Sequence, residues 1–188
     1  TTALSYWMTK YKGPDVISAK LDGVSGLYST EGKEPKLFTR GNGTVGQDVS
    51  HLIPFLKLPT SVSGIVIRGE FIISKKLFAT KYASKFSNPR NFVAGVVNQK
   101  TPDPDKYQDI DFVAYEVIRP VLSIEQQMIQ LTNLNVEVVK FLKQDQITNE
   151  ILSQRLLSWR DDYKYESDGL ICAATPVEGP LLSKGQYC

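Results

Sequence analysis

From residue 15 to about residue 120 the chain is built of short apolar runs, each broken within a few residues by Gly, Pro, Asn or Asp. Such punctuation leaves little room for long helices and favours strands joined by turns. The segments Val16–Lys20, Gly26–Ser29, Lys36–Arg40, Ile65–Arg68 and Asp111–Tyr115 read as strands. Glu31-Gly32-Lys33-Glu34-Pro35 reads as the turn of a hairpin. Ser74 is placed to cap a short helix whose Leu77, Phe78 and Tyr82 share one face.

After residue 120 the texture turns helical. Ser123 followed by Gln126 has the form of a capping box, and Met128, Ile129 and Leu131 supply an apolar face. Thr148 opens a second helix, with Leu156, Leu157 and Trp159 expected on its buried side. Val136–Val139 and Gly169–Ile171 read as further strands. The expected fold class is α+β, with antiparallel sheets and a few covering helices.

Bulk properties narrow the function. The 188 residues carry 22 Lys and Arg against 20 Asp and Glu, a net charge of +2. Contact with nucleic acid would therefore need a local patch. No apolar run approaches the roughly 20 residues of a membrane helix, so no membrane partner is expected. The first residues lack a signal-peptide pattern, and the absence of an initiator Met suggests a piece of a longer protein. Two cysteines, Cys172 and Cys188, without metal-ligand spacing argue against a disulfide scaffold or zinc site and for a reducing, intracellular setting.

Five clusters carry candidate chemistry. Lys20-Leu21-Asp22-Gly23 places a lysine at the end of an apolar strand. A surface lysine is the plain alternative; a nucleophile is the sharper one, since a neutral amine attacks phosphorus or carbonyl centres. Thr39-Arg40-Gly41-Asn42-Gly43-Thr44-Val45-Gly46-Gln47-Asp48, ahead of a short helix expected at Asp48 to Leu52, is either a hairpin tip or a backbone that approaches a ligand closely. Arg68-Gly69-Glu70 holds either a structural ion pair or a carboxylate that accepts ribose hydroxyls. Asn88-Pro89-Arg90-Asn91 opens an apolar helix whose start suits a phosphate, and Asp168-Gly169 precedes an apolar strand.

Each cluster alone is ambiguous, but their order resembles that in the adenylation (nucleotidyltransferase) domain of NAD-dependent DNA ligases, from about Trp7 to about Ile171. The wording of Arg40–Leu52 and Val93–Lys100 is similar to the branch found in large DNA viruses. The resemblance implies an ATP-grasp-like ligase core over residues 1–188, itself part of a larger ligase. It implies that Lys20 takes AMP from NAD, with Mg²⁺ assisting, and that the AMP passes to the 5′-phosphate of nicked double-stranded DNA. Asp22 would orient Lys20 and the nick, Arg40 and Glu70 would hold the ribose, Arg90 a phosphate, and Tyr115 would stack on adenine. Asp168 matches the motif carboxylate near metal and phosphate. The metal ligands are left unknown. A viral source would place the enzyme in the host cell or viral factory.

The pattern is not complete. Ser18 stands where bacterial forms have Glu, Ala173 where they have Lys, and Asn98 where they have Arg. A final aromatic strand ending in lysine is missing, and Lys184 does not take its role. The upstream segment for nicotinamide mononucleotide and the downstream ligase domains lie outside this sequence, so poor self-adenylation from NAD is expected of the chain alone. Lys75, Lys76, Lys81, Lys85 and Arg90 are candidate DNA-phosphate contacts or simply a solvated face. Two other classes stay open: an ATP-dependent RNA ligase or capping-type nucleotidyltransferase, and a domain that binds adenylate or nucleic acid without catalysis.

Overall fold

A computed structural model of the chain describes residues 15–40, 45–144, 148–173 and 186–187. Among the described residues, nine strands form two sheets. The first contains β2 (Val24–Ser29), β3 (Lys36–Thr39), β4 (Val66–Ile72), β5 (Asp111–Arg119) and β6 (Glu137–Val138), in the order β3-β2-β4-β5-β6. The second contains β1 (Asp15–Leu21), β7 (Phe141–Gln144), β8 (Ser167–Ala173) and β9 (Gln186–Tyr187), in the order β7-β1-β8-β9. All pairs are antiparallel except β5 with β6, which is parallel and departs from the expected all-antiparallel pairing.

The helices begin where local capping chemistry puts them. In α1 (Lys75–Lys81) the Ser74 hydroxyl accepts the Leu77 N–H at 3.3 Å. In α2 (Pro89–Val97) the Asn88 side chain accepts the Asn91 N–H at 2.8 Å, and Pro89 stands where its missing N–H costs nothing. A single turn, α3 (Pro104–Tyr107), follows. Ser123 and Gln126 close a reciprocal capping box at the start of α4 (Ile124–Asn133). Thr148 caps α5 (Asn149–Asp162). The helix expected around Asp48 to Leu52 is instead a 3-10 helix over Ser50–Phe55.

Two apolar clusters organise the chain. The larger packs one face of the five-stranded sheet, including Tyr28, Ile67, Phe71 and Phe112, against Phe92, Val93, Val96 and Val97 of α2. Gly69 makes room for this face: a β-carbon there would stand 2.6 Å from the Phe112 ring and 2.7 Å from the Val113 carbonyl oxygen. The Phe71 and Phe112 rings meet edge to face at 5.3 Å. The second cluster joins Ile72 and Val113 of the five-stranded sheet to Ile17, Ala19, Leu21 and Leu170 of the other, and to Trp159 of α5. Leu157 is 62% exposed, against expectation. It lies about 100° around the helix from Leu156 and 200° from Trp159, so one face cannot hold all three. Cys172 is buried, and Cys188 lies outside the described residues.

Candidate adenylate-binding site

Strand β1 delivers Lys20, half-buried, opposite Gly169 of β8. The Lys20 Cδ lies 3.7 Å from where a β-carbon of residue 169 would stand, so the bare backbone of β8 supports the lysine stem. Lys20 pairs with Gly169 and Leu21 with Ser167, which leaves Asp168 as the extra residue of a β-bulge beside the lysine. A bulge interrupts the alternation of side chains and re-aims one of them. Asp168 is exposed there.

Past Lys20 the chain turns through Asp22 and Gly23. The Asp22 N–H donates to the Glu166 carbonyl at 3.0 Å, tying the turn to the start of β8. A β-carbon on Gly23 would stand 2.2 Å from the Phe71 carbonyl oxygen, so only glycine passes over β4 here. The Gly23 N–H donates to the Glu70 carboxylate.

Glu70 is 8% exposed, and the Ser25 hydroxyl donates to its Oε2 at 3.3 Å. Burial pushes its carboxyl up to about 7; Ser25, Gly23 and Arg90 oppose that rise, and Asp168 adds to it. The structural ion pair is Arg68 with Glu116 at 3.4 Å, so the neighbouring arginine does not neutralise Glu70. A carboxylate can accept about four hydrogen bonds, and the two donors present leave capacity for the hydroxyls of a ligand.

Tyr115 also stands in a bulge: Arg68 pairs with Glu116 and Gly69 with Ala114, leaving Tyr115 extra. It is half-buried, and its hydroxyl is held well above the ordinary phenol range by burial and then by the charge of Glu70. Arg90 lies in the first turn of α2 with its guanidinium 3.7 Å from Asp22. That side chain is 63% exposed, so the pair is weak and open to exchange for a phosphate. Arg40 is exposed, and its N–H donates to the Ser25 carbonyl at 3.2 Å.

These contacts link Lys20, Asp22, Arg40, Glu70, Arg90, Tyr115 and Asp168 into one region. Lys20 and Asp168 lie at the β1–β8 edge, Asp22 reaches Arg90, and Glu70 senses both Arg90 and Asp168. Residues 41–44 of the second cluster, residues 1–14 and Lys184 lie outside the described residues. Asn98 sits at the far end of α2 and returns its side-chain amide to the Ala94 carbonyl at 2.9 Å. Lys75 donates to the Arg160 carbonyl at 2.6 Å and Lys81 pairs with Asp109 at 3.1 Å, so both have partners within the fold, while Lys76 and Lys85 are exposed. Among the described residues no three His, Cys, Asp or Glu side chains gather as a metal site. Sequence reasoning missed Ser25; its only signal was a polar residue directly before Gly26 in β2.

A strand-end lysine on one sheet, a buried carboxylate on the other and an arginine at a helix start make up the candidate site of this α+β domain. Residues 7–178 match the model of the NAD-dependent DNA ligase adenylation domain, and the chain belongs to that family. It is 38% identical over 176 residues to a DNA ligase of Acanthamoeba polyphaga mimivirus, covering 90% of this chain and 28% of that protein. It is 29% identical over 185 residues to a DNA ligase of Lactobacillus johnsonii, covering 87% of this chain and 28% of that protein. The chain thus spans under a third of the length of these curated relatives. Its fold is similar to that of a Lig E DNA ligase, with a TM-score of 0.59 at 19% identity over 92% of this chain and 59% of the other. A mycobacterial DNA ligase D complexed with ATP has a TM-score of 0.53 at 14% identity, over 92% of this chain and 52% of the other.

Proposed function

We propose that the chain is the adenylating core of an NAD-dependent DNA ligase and that Lys20 is its nucleophile. The Lys20 Nζ attacks the α-phosphorus of NAD, a P–N bond forms, and the bond to nicotinamide mononucleotide breaks. AMP is then handed to the 5′-phosphate of a DNA nick. Attack by the 3′-hydroxyl on that phosphate seals the strand and releases AMP. Such phosphoryl transfer asks the protein mainly for positioning and charge neutralisation. Asp22 holds Arg90 until a phosphate takes it, Glu70 and Arg40 take the ribose, and the Tyr115 ring takes the adenine. Asp168 flanks the reacting lysine. Mg²⁺ would add charge neutralisation at the phosphates.

The observation that carries this reading is the position of Glu70: a buried carboxylate with acceptor capacity to spare, within electrostatic reach of both Arg90 and Asp168. Intact-mass measurement after incubation with NAD or ATP and Mg²⁺ tests it. An AMP adduct on the parent chain, absent from Lys20→Ala and Lys20→Arg, is expected; arginine keeps the charge but supplies no neutral amine. An adduct retained by either variant would remove Lys20 from the mechanism. Adduct formed from ATP in preference to NAD would reassign the AMP donor.

A further inference from the structure

Ser25 stands between three of the residues proposed to hold the nucleotide. On β2 it lies directly opposite Glu70 of β4. Its hydroxyl donates to Glu70 Oε2 at 3.3 Å, and its carbonyl accepts the Arg40 N–H at 3.2 Å. The same hydroxyl lies near that of Tyr115. A serine hydroxyl has one proton to give and two lone pairs. Here that proton is committed to Glu70.

We infer that Ser25 is a positioning residue of this pocket, turning the Glu70 carboxylate so that Oε2 is held by β2 and Oε1 is presented to a ribose diol. The inference rests on the nucleotide-binding reading of the pocket. The terminal torsion of a glutamate is broad and has no strong rotamer of its own, so neighbouring donors must fix the carboxylate plane. The two donors here are the Gly23 N–H and the Ser25 hydroxyl. Gly23 is part of the turn backbone, whereas Ser25 can be removed without touching it. The other groups that bear on Glu70 are Arg90 from α2, Asp168 from β8 and Tyr115 from β5. All three persist in a Ser25 variant, so a change in how the pocket responds to pH reports the serine.

The test is a calorimetric titration of NAD into the 188-residue chain without divalent cation, from about pH 6 to about pH 9. It compares the parent with Ser25→Ala, Ser25→Thr and Glu70→Gln. Ser25→Ala is expected to bind NAD about three- to tenfold more weakly near neutral pH. The midpoint of its pH dependence should move upward, because the ionised carboxylate has lost a donor. Ser25→Thr should restore both affinity and midpoint, with thermal melting of all variants close to the parent. Unchanged affinity and midpoint in Ser25→Ala would overturn the assignment. So would a loss that is equal at every pH and is not rescued by threonine, which would mark Ser25 as packing only. Weak binding by Glu70→Gln alongside parental behaviour of Ser25→Ala would remove the serine's role and leave the pocket standing. Parental binding by Glu70→Gln would remove the pocket reading and Ser25's role with it.

Discussion

Glu70 shows how one buried group ties stability to ligand chemistry. Its carboxyl is pushed up to about 7 from an ordinary 4.5. Between those values the folded chain keeps a proton that the unfolded chain has released. Stability is therefore expected to fall as pH rises through that window and to level off above it. The total is on the order of 3 kcal/mol, the cost of burying the ionised form. Glu70→Gln should flatten the profile and be the more stable chain at about pH 8, while binding NAD less well. Denaturant unfolding at a series of pH values checks this, and a parent profile already flat would contradict it. Tyr115 makes a different residue-scale prediction. If its ring stacks on adenine, Tyr115→Ala should weaken NAD binding by about 1–3 kcal/mol. Tyr115→Phe should be mild, since the ring is kept. Equal losses from both would assign the effect to the hydroxyl.

At the scale of elements, α2 couples core packing to the site. Phe92, Val93, Val96 and Val97 fasten one face of the helix to the large cluster, and Phe92 stacks on Tyr82 at 4.0 Å. That anchoring sets where the first turn, with Arg90, stands relative to Asp22. Asn88 satisfies one of the free N–H groups of that turn. Asn88→Ala is expected to cost about 1 kcal/mol of stability and to slow AMP-adduct formation, because fraying begins at the turn that carries Arg90. Asn88→Ser or Asn88→Asp should recover most of both. Thermal unfolding and time-resolved intact mass measure the pair of effects; a stability loss with unaltered adduct kinetics would uncouple the cap from the site.

The whole molecule holds its site by keeping two sheets in register with each other. Lys20 and Asp168 belong to the four-stranded sheet, and Glu70 and Tyr115 to the five-stranded one. Ile72 and Val113 reach from the second sheet into the cluster shared with β1 and β8. Ile72 is fully buried, so Ile72→Ala is expected to cost about 2–5 kcal/mol. It should also reduce adduct formation at temperatures where the variant remains folded, because the lysine and the carboxylate lose their common support. Ile72→Val, which keeps most of the volume, should leave the rate near that of the parent. A rate that tracks only the folded fraction would place the positioning elsewhere.

What the chain declares locally is legible in its letters. Ser74, Asn88, Ser123 and Thr148 all cap helices as their side chains suggest, because capping is settled within three or four residues. Turn chemistry likewise punctuates the first half into strands, and the order of Lys20, Arg40, Glu70, Arg90 and Asp168 along the chain is itself a mark of the family. Other features depend on partners distant in sequence. Pairing of β1 with β8 across most of the chain turns Asp168 into a bulge residue beside Lys20, and pairing of β4 with β5 does the same for Tyr115. The parallel seam of β5 with β6, the burial of Glu70 and the place of Ser25 opposite it have the same origin. A bulge exists only as a mismatch between two strands, and a carboxyl group shifts only when other segments exclude water from it. The residue types proposed to handle the nucleotide are therefore written in the sequence, while their aim and their electrostatics come from the tertiary structure.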